Sequence, residues 1–171
     1  MALPLILKHS FPPVVDQRTR LLVLGSLPGE ESLARRQYYA NPRNQFWRLM
    51  SEVIGVELVP LGYEARLEAL LEAGVGLWDS VGSALREGSL DAAIRGHSAN
   101  PLRALAASLP DLRAVAFNGG TSARIGQKEL GPEGGFERIP LPSSSPTFTL
   151  SFERKLEAWL RLRPFLDLGR S

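Results

Sequence analysis

The residues with the most chemical potential are gathered in one stretch, Gln37-Tyr38-Tyr39-Ala40-Asn41-Pro42-Arg43-Asn44-Gln45-Phe46-Trp47, where aromatic rings alternate with carboxamides just ahead of a helix-like apolar pattern. A flat ring at Tyr39 can stack on a planar heterocycle, and the Asn44 amide can orient a water molecule. The same spacing has a plainer reading, in which Asn44 caps the following helix while Phe46 and Trp47 pack inward. Taken alone, the residues leave both readings open.

Other chemistries find little support. The two histidines, His9 and His97, are far apart and lack the H-E-x-x-H arrangement, so the sequence predicts no metal centre. His97 reads as a surface or helix-capping residue, with a contact to a DNA phosphate as the sharper alternative. No G-x-S-x-G elbow supports a serine hydrolase, and an esterase reading would rest on loop serines alone. The loop Gly25-Ser26-Leu27-Pro28-Gly29 has neither the lysine of a phosphate-binding P-loop nor the three-glycine dinucleotide spacing. It can still bring backbone amides close to a ligand, or it can be only a tight turn.

These residues need a scaffold, and the apolar periodicity supplies one. Leu21-Leu22-Val23-Leu24 is a continuous apolar run ending at Gly25, the pattern of a strand buried on both faces. Phe46, Met50, Val53 and Ile54 recur at helical spacing, as do Leu67, Leu70 and Leu71 before Gly74. Val75 to Trp78 reads as a second strand, Leu102 to Leu109 as a helix closed by Pro110, and Ala114 to Phe117 as a third strand. Phe136 to Leu141 makes a fourth strand, and Phe152, Leu156, Trp159 and Leu160 give a last helix its apolar face before Pro164. The alternation predicts an α/β fold, a three-layer α/β/α sandwich around a central four-stranded, mostly parallel sheet.

In such sheets the ligand site lies beyond the carboxyl ends of the strands. Four loops qualify: Gly25 to Gly29, Asp79 to Gly82, Asn118 to Ser122, and Pro142 to Pro146. All are rich in small or polar residues.

With these motifs in view, the chain resembles the uracil-DNA glycosylase superfamily, and within it the hypoxanthine-DNA (deoxyinosine) glycosylase branch, over nearly its whole length. Ser10-Phe11-Pro12-Pro13-Val14 is similar to the branch's opening and Gly25-Ser26-Leu27-Pro28-Gly29 to its first motif. Tyr38-Tyr39 through Asn41-Pro42-Arg43-Asn44-Gln45-Phe46-Trp47 is similar to its second. Leu77-Trp78-Asp79, Gly88-Ser89-Leu90-Asp91 and Leu141-Pro142-Ser143-Ser144-Ser145-Pro146 also agree, in order. Ser26 stands where several branches carry a catalytic Asn or Asp, and Asn41 stands where the family usually has a histidine.

The resemblance implies a monofunctional enzyme that hydrolyses the N-glycosidic bond of deaminated bases, hypoxanthine first, with uracil and xanthine as further candidates. Asn44 would hold the water, as the branch's P-R-N asparagine does. Gly25, Ser26, Pro28, Gly29, Tyr39, Asp79 and Asn118 would engage the base. Asp79 can accept an N–H proton from the base or merely cap a helix. Arg43, Ser143, Ser144, Ser145 and Pro146 would contact the DNA backbone, and Phe148 is either the wedge filling the vacated stack or a core residue. No lysine occupies a loop position suited to a Schiff base, Lys128 lying in a polar helix or loop, so strand cleavage is not expected. The implied partner is double- or single-stranded DNA bearing a deaminated base, with no cofactor and no metal. The rival is a non-catalytic α/β module binding nucleotides or damaged DNA.

Composition is compatible with all of this and decides little of it. The 171 residues, 44% hydrophobic, suit one domain spanning 1–171 that buries roughly two-thirds of its unfolded surface. Cysteine is absent, which excludes disulfides, iron-sulfur clusters and thiolate zinc, and points to a reducing compartment. Met1 to Leu7 lacks a basic leader and no apolar run approaches spanning length, so a cytoplasmic, soluble monomer away from the membrane is expected. A net charge of +2 permits a polyanionic partner without requiring one.

Overall fold

The computed structural model describes residues 7–86 and 89–168, without the side chains of Leu85 and Ala92. Within them the chain runs β1 (Leu7–His9), β2 (Leu21–Gly25), α1 (Glu30–Arg35), α2 (Phe46–Ile54), α3 (Tyr63–Glu72), β3 (Val75–Asp79) and β4 (Val81–Leu85). It continues through β5 (Arg95–Ala99), α4 (Leu102–Ala107), β6 (Ala114–Asn118), α5 (Gly120–Leu130), β7 (Glu137–Leu141) and α6 (Phe152–Trp159). Gly88 and Met1 to Ile6, which figured in the sequence reading, lie outside the described residues.

The main sheet has four strands in the order β3-β2-β6-β7, and all three pairings are parallel. Its centre is the run expected to be buried on both faces: every residue of β2 is buried. Leu21 and Val23 join Ala114, Ala116, Val75 and Leu77 on the face covered by α2, α3 and α6. Leu22 and Leu24 join Val115 and Phe117 on the other face, under Leu102 of α4 and Leu130 of α5. Helices on both faces make the expected three-layer sandwich, and burying the two sets of alternating residues is the main stabilising term.

Chain direction then creates the crevice. From β2 the chain crosses to β3 on one side, whereas from β6 it crosses through α5 to β7 on the other. The ends of β2 and β6 therefore flank a switch point, where open α/β sheets leave room for ligands. In register, Gly25 lies beside Asp79 and Asn118 beside Leu141. Gly119, at φ 98°, turns the chain from β6 into α5, a conformation that favours glycine.

Two features went unanticipated. A second sheet, β1-β4-β5, is antiparallel throughout. Its strands Val-Gly-Ser-Ala-Leu and Arg-Gly-His-Ser-Ala lack an apolar alternation, and their pairing is long-range, so periodicity does not reveal them. His97 sits exposed on β5 rather than at a helix end. The short helix α1 was also missed, while Lys128 falls on α5. Smaller differences are that β3 extends to Asp79, β7 begins at Glu137, and α4 ends at Ala107. Beyond α6, a 3-10 turn from Leu160 to Phe165 accommodates Pro164.

All three tryptophans tie loops to this frame through their indole N–H groups. Trp47 donates to the Tyr39 carbonyl at 3.2 Å, Trp78 to Phe11 at 2.9 Å and Trp159 to Pro142 at 3.0 Å. Each ring is buried and each tip holds a loop carbonyl, so packing of the core positions backbone outside it.

Candidate active site

A cleft of about 440 Å³ opens at the carboxyl ends of β2, β3 and β6, a volume suited to a small ligand. The Gly25–Gly29 loop, the Tyr39–Asn44 segment, Asp79, Asn118 and the Ser143–Phe148 loop all line it. A larger hollow of about 760 Å³ lies between the Leu7–Val14 segment and Tyr63, but it contains none of the strand-end residues. Chemistry, not size, therefore singles out the smaller cleft.

One wall of the cleft is neutral, and its acceptor oxygens are engaged in a continuous set of hydrogen bonds. The Asn44 Oδ1 atom accepts the Phe46 backbone N–H at 3.0 Å and the Ser144 hydroxyl at 2.8 Å. Asn118 accepts the Ser144 backbone N–H at 2.9 Å, then donates from Nδ2 to Ser144 Oγ at 2.9 Å and to Tyr39 Oη at 3.3 Å. Tyr39 is held at φ 54° and stacks on Phe46, with ring centroids 3.9 Å apart and planes 19° off parallel. Burial, and after it the charge of Asp79, raises the Tyr39 phenol above its ordinary value, so it stays a neutral hydroxyl.

A second part of the cleft carries charge. Asp79 is 3% exposed and its Oδ2 has no hydrogen-bond partner among the described residues. Burial first, then the negative charge of Asp91, pushes its carboxyl up to about 7, with Arg86 opposing. Gly25 makes room for this arrangement, since a Cβ there would meet Asp79 Oδ1 at 2.6 Å and Tyr39 Oη at 2.9 Å. Ser26 donates its hydroxyl to Asp91 Oδ1 at 2.5 Å. Arg86, 1% exposed, reaches Asp91 at 3.7 Å and donates to the carbonyls of Leu27 and Pro28, holding the loop from below.

A model of the uracil DNA glycosylase superfamily matches residues 12–166 of the chain. The chain belongs to the uracil DNA glycosylase superfamily. Two relatives named hypoxanthine DNA glycosylase, from Methanosarcina barkeri and Methanosarcina acetivorans, are 39% identical over 152 residues and 40% identical over 160 residues. The alignments cover 89% and 91% of this chain and 95% and 99% of the relatives. A solution NMR structure from Methanosarcina acetivorans, provisionally named a uracil DNA glycosylase, superposes with a TM-score of 0.82 at 36% identity, covering 94% of this chain and 99% of that one.

Within this superfamily member, the structure brings Gly25, Ser26, Pro28, Gly29, Tyr39, Arg43, Asn44, Asp79, Asn118 and the Ser143–Phe148 segment to one cleft. Asn44 does not have to be either cap or cleft residue, because its oxygen meets the Phe46 N–H while the side chain lines the cleft. Asn41, whose part was open, accepts the Arg43 N–H at 2.9 Å and shapes the turn. Arg43 and Phe148 are exposed at the rim, Phe148 at 45%, which places its ring outside the core. Ser144, expected at the phosphate backbone, is 1% exposed, and its hydroxyl is turned inward to Asn44. In the same loop Ser143 and Ser145 are half-buried and remain at the surface.

Sequence reasoning missed Arg86, Asp91 and Lys155 as site residues. Asp91 had a signal, since it ends the Gly88-Ser89-Leu90-Asp91 motif. Arg86 and Lys155 had none, because nothing in their neighbourhoods marks a buried cation. Lys155, 1% exposed, donates to the Ser145 carbonyl at 3.1 Å and lies 5.6 Å from the Phe148 ring centroid, bracing the rim loop from behind.

Proposed function

We propose that this protein hydrolyses the N-glycosidic bond of deaminated bases in DNA, hypoxanthine foremost, and leaves an abasic site. The observation that carries the proposal is that the Asn44 amide and an Asp79 carboxylate whose Oδ2 has no hydrogen-bond partner among the described residues line one cleft at the sheet's switch point. The names of the relatives aligned over nine-tenths of the chain supply the substrate class.

A base inside a duplex must be extruded to reach such a cleft, and Phe148, exposed on the rim, would fill the gap it leaves. Deamination replaces a ring nitrogen lone pair beside an amino group with an N–H beside a carbonyl. Ionised Asp79 accepts that N–H and is repelled by the lone pair of the undamaged parent, which is how the cleft would tell hypoxanthine from adenine. The Gly25–Gly29 backbone borders the same base edge, and Tyr39 flanks the ring. Bond cleavage leaves positive charge on the sugar and negative charge on the departing base, so a water aimed by Asn44 captures the sugar. Arg43, Ser143, Ser145 and Pro146 border the DNA backbone.

Duplexes carrying a single hypoxanthine, uracil or mismatched thymine test this directly. After incubation with the protein and heating in alkali, strand breaks at hypoxanthine are expected, and their absence on every substrate would falsify the proposal.

A further inference from the structure

The hydrogen bonds around Asn44 settle which end of its amide faces the cleft, and the reasoning starts from backbone groups that can only donate. The Phe46 N–H lies 3.0 Å from Asn44, so the atom it meets is the amide oxygen. The Ser144 N–H likewise identifies the Asn118 oxygen, at 2.9 Å. Asn118 must then present its nitrogen to Ser144 Oγ at 2.9 Å, which directs the serine's own hydrogen to Asn44 Oδ1 at 2.8 Å. Both lone pairs of that oxygen are thereby used. What remains is the Asn44 NH₂, on a half-buried side chain lining the cleft and with no protein partner among the described residues.

We infer that Asn44 works as a hydrogen-bond donor, and that Ser144 and Asn118 are positioning residues that lock its amide in that orientation. The inference rests on the glycosylase reading and deepens it. A donor steadies the water oxygen through one lone pair and leaves the other to form the C1′–O bond as the C1′–N pair departs with the base. It cannot take the water's proton. That proton leaves with the departing base anion or passes to a carboxylate lining the cleft, where Glu30, Glu31 and Asp91 stand in addition to the base-reading Asp79. Ser144 reaches Asn44 across 100 residues of sequence and is 1% exposed, so its part is indirect.

The test is Asn44→Asp in single-turnover excision of hypoxanthine at saturating protein. This substitution keeps an acceptor for both Phe46 and Ser144 but removes the NH₂. Loss comparable to that of Asn44→Ala, on the order of 100-fold, is expected if the donor is what matters. Excision within about threefold of wild type would overturn the inference while leaving the glycosylase reading intact, whereas a wild-type protein inert on every duplex overturns both. A second arm asks whether Ser144 acts through Asn44. Ser144→Ala should lower the single-turnover rate about tenfold with KM little changed, and should cost nothing further in the Asn44→Ala background. Additive losses in that double variant would make Ser144 merely structural.

Discussion

The two walls of the cleft are built on opposite principles. On the Asn44 side, amide, hydroxyl and phenol form a directional chain in which donors meet acceptors and no group carries charge. On the Asp79 side, a carboxylate lacks a partner at Oδ2 among the described residues, burial and then a second carboxylate raise its pKa, and a buried arginine offsets part of the cost. A neutral network keeps its geometry at any ordinary pH and suits the placing of a reacting group. An unsatisfied charged wall costs stability when empty and recovers it when a matching ligand binds, so recognition and pH dependence belong there.

The largest effect should come from the neutral wall. Asn44→Ala is expected to lose on the order of 100-fold or more in single-turnover excision, as misplacing a reacting group commonly does. Melting temperature is the control. A stable variant with unchanged excision would reduce Asn44 to the helix-terminal contact it also makes with Phe46.

On the charged wall, Asp79→Leu should lower kcat/KM for hypoxanthine about 10- to 100-fold by removing the acceptor for the base N–H. Asp79→Asn separates charge from hydrogen bonding. For wild type, kcat/KM should climb as pH rises through about 7, where Asp79 ionises. The asparagine variant should lose that rise, and retention of it would assign the titration to another group. Stability runs the other way. A carboxyl whose folded pKa is raised favours the fold below its unfolded value, near 4, and loses that contribution as pH rises through the folded value of about 7. Asp79→Asn should therefore stabilise the protein by about 1–3 kcal/mol at pH 9, with the gain vanishing towards pH 4 in denaturant titrations.

A smaller effect is expected for Ser26→Ala. Removing the hydroxyl that donates to Asp91 leaves that carboxylate to Arg86 among the described residues, and a drop of about three- to tenfold, roughly the net worth of one ordinary hydrogen bond, should appear in kcat/KM. If Asp91→Asn produces the same loss and the double variant adds nothing, the pair acts as a unit. The smallest change belongs to the rim: Phe148→Ala should weaken DNA engagement about two- to fivefold, visible in KM rather than in the single-turnover rate. A core role for the ring would show instead as a lowered melting temperature.

Much of the frame was legible. Leu21 to Leu24 announced a strand buried on both faces, and the αβ alternation placed Gly25, Asp79 and Asn118 at the carboxyl ends where the cleft forms. The antiparallel sheet escaped because β4 and β5 are short and glycine-bearing, and their register depends on partners distant in sequence. Ser144 was assigned outward with its neighbours because three consecutive serines look alike until one of them is buried. Arg86 gave no sign of burial, since a single arginine before a Glu-Gly pair reads as surface.

By itself, then, the sequence determined which segments turn apolar faces inward, in what order strands and helices follow, and which loops gather at one end of the sheet. Local periodicity carries that information. Only the tertiary structure decided which way the Asn44 amide points, that Ser26 gives its hydrogen to Asp91 across 65 positions, and that Asp79 titrates near neutrality. The orientation of an amide and the pKa of a carboxyl are properties of neighbours in space, and those neighbours meet only when the chain has folded.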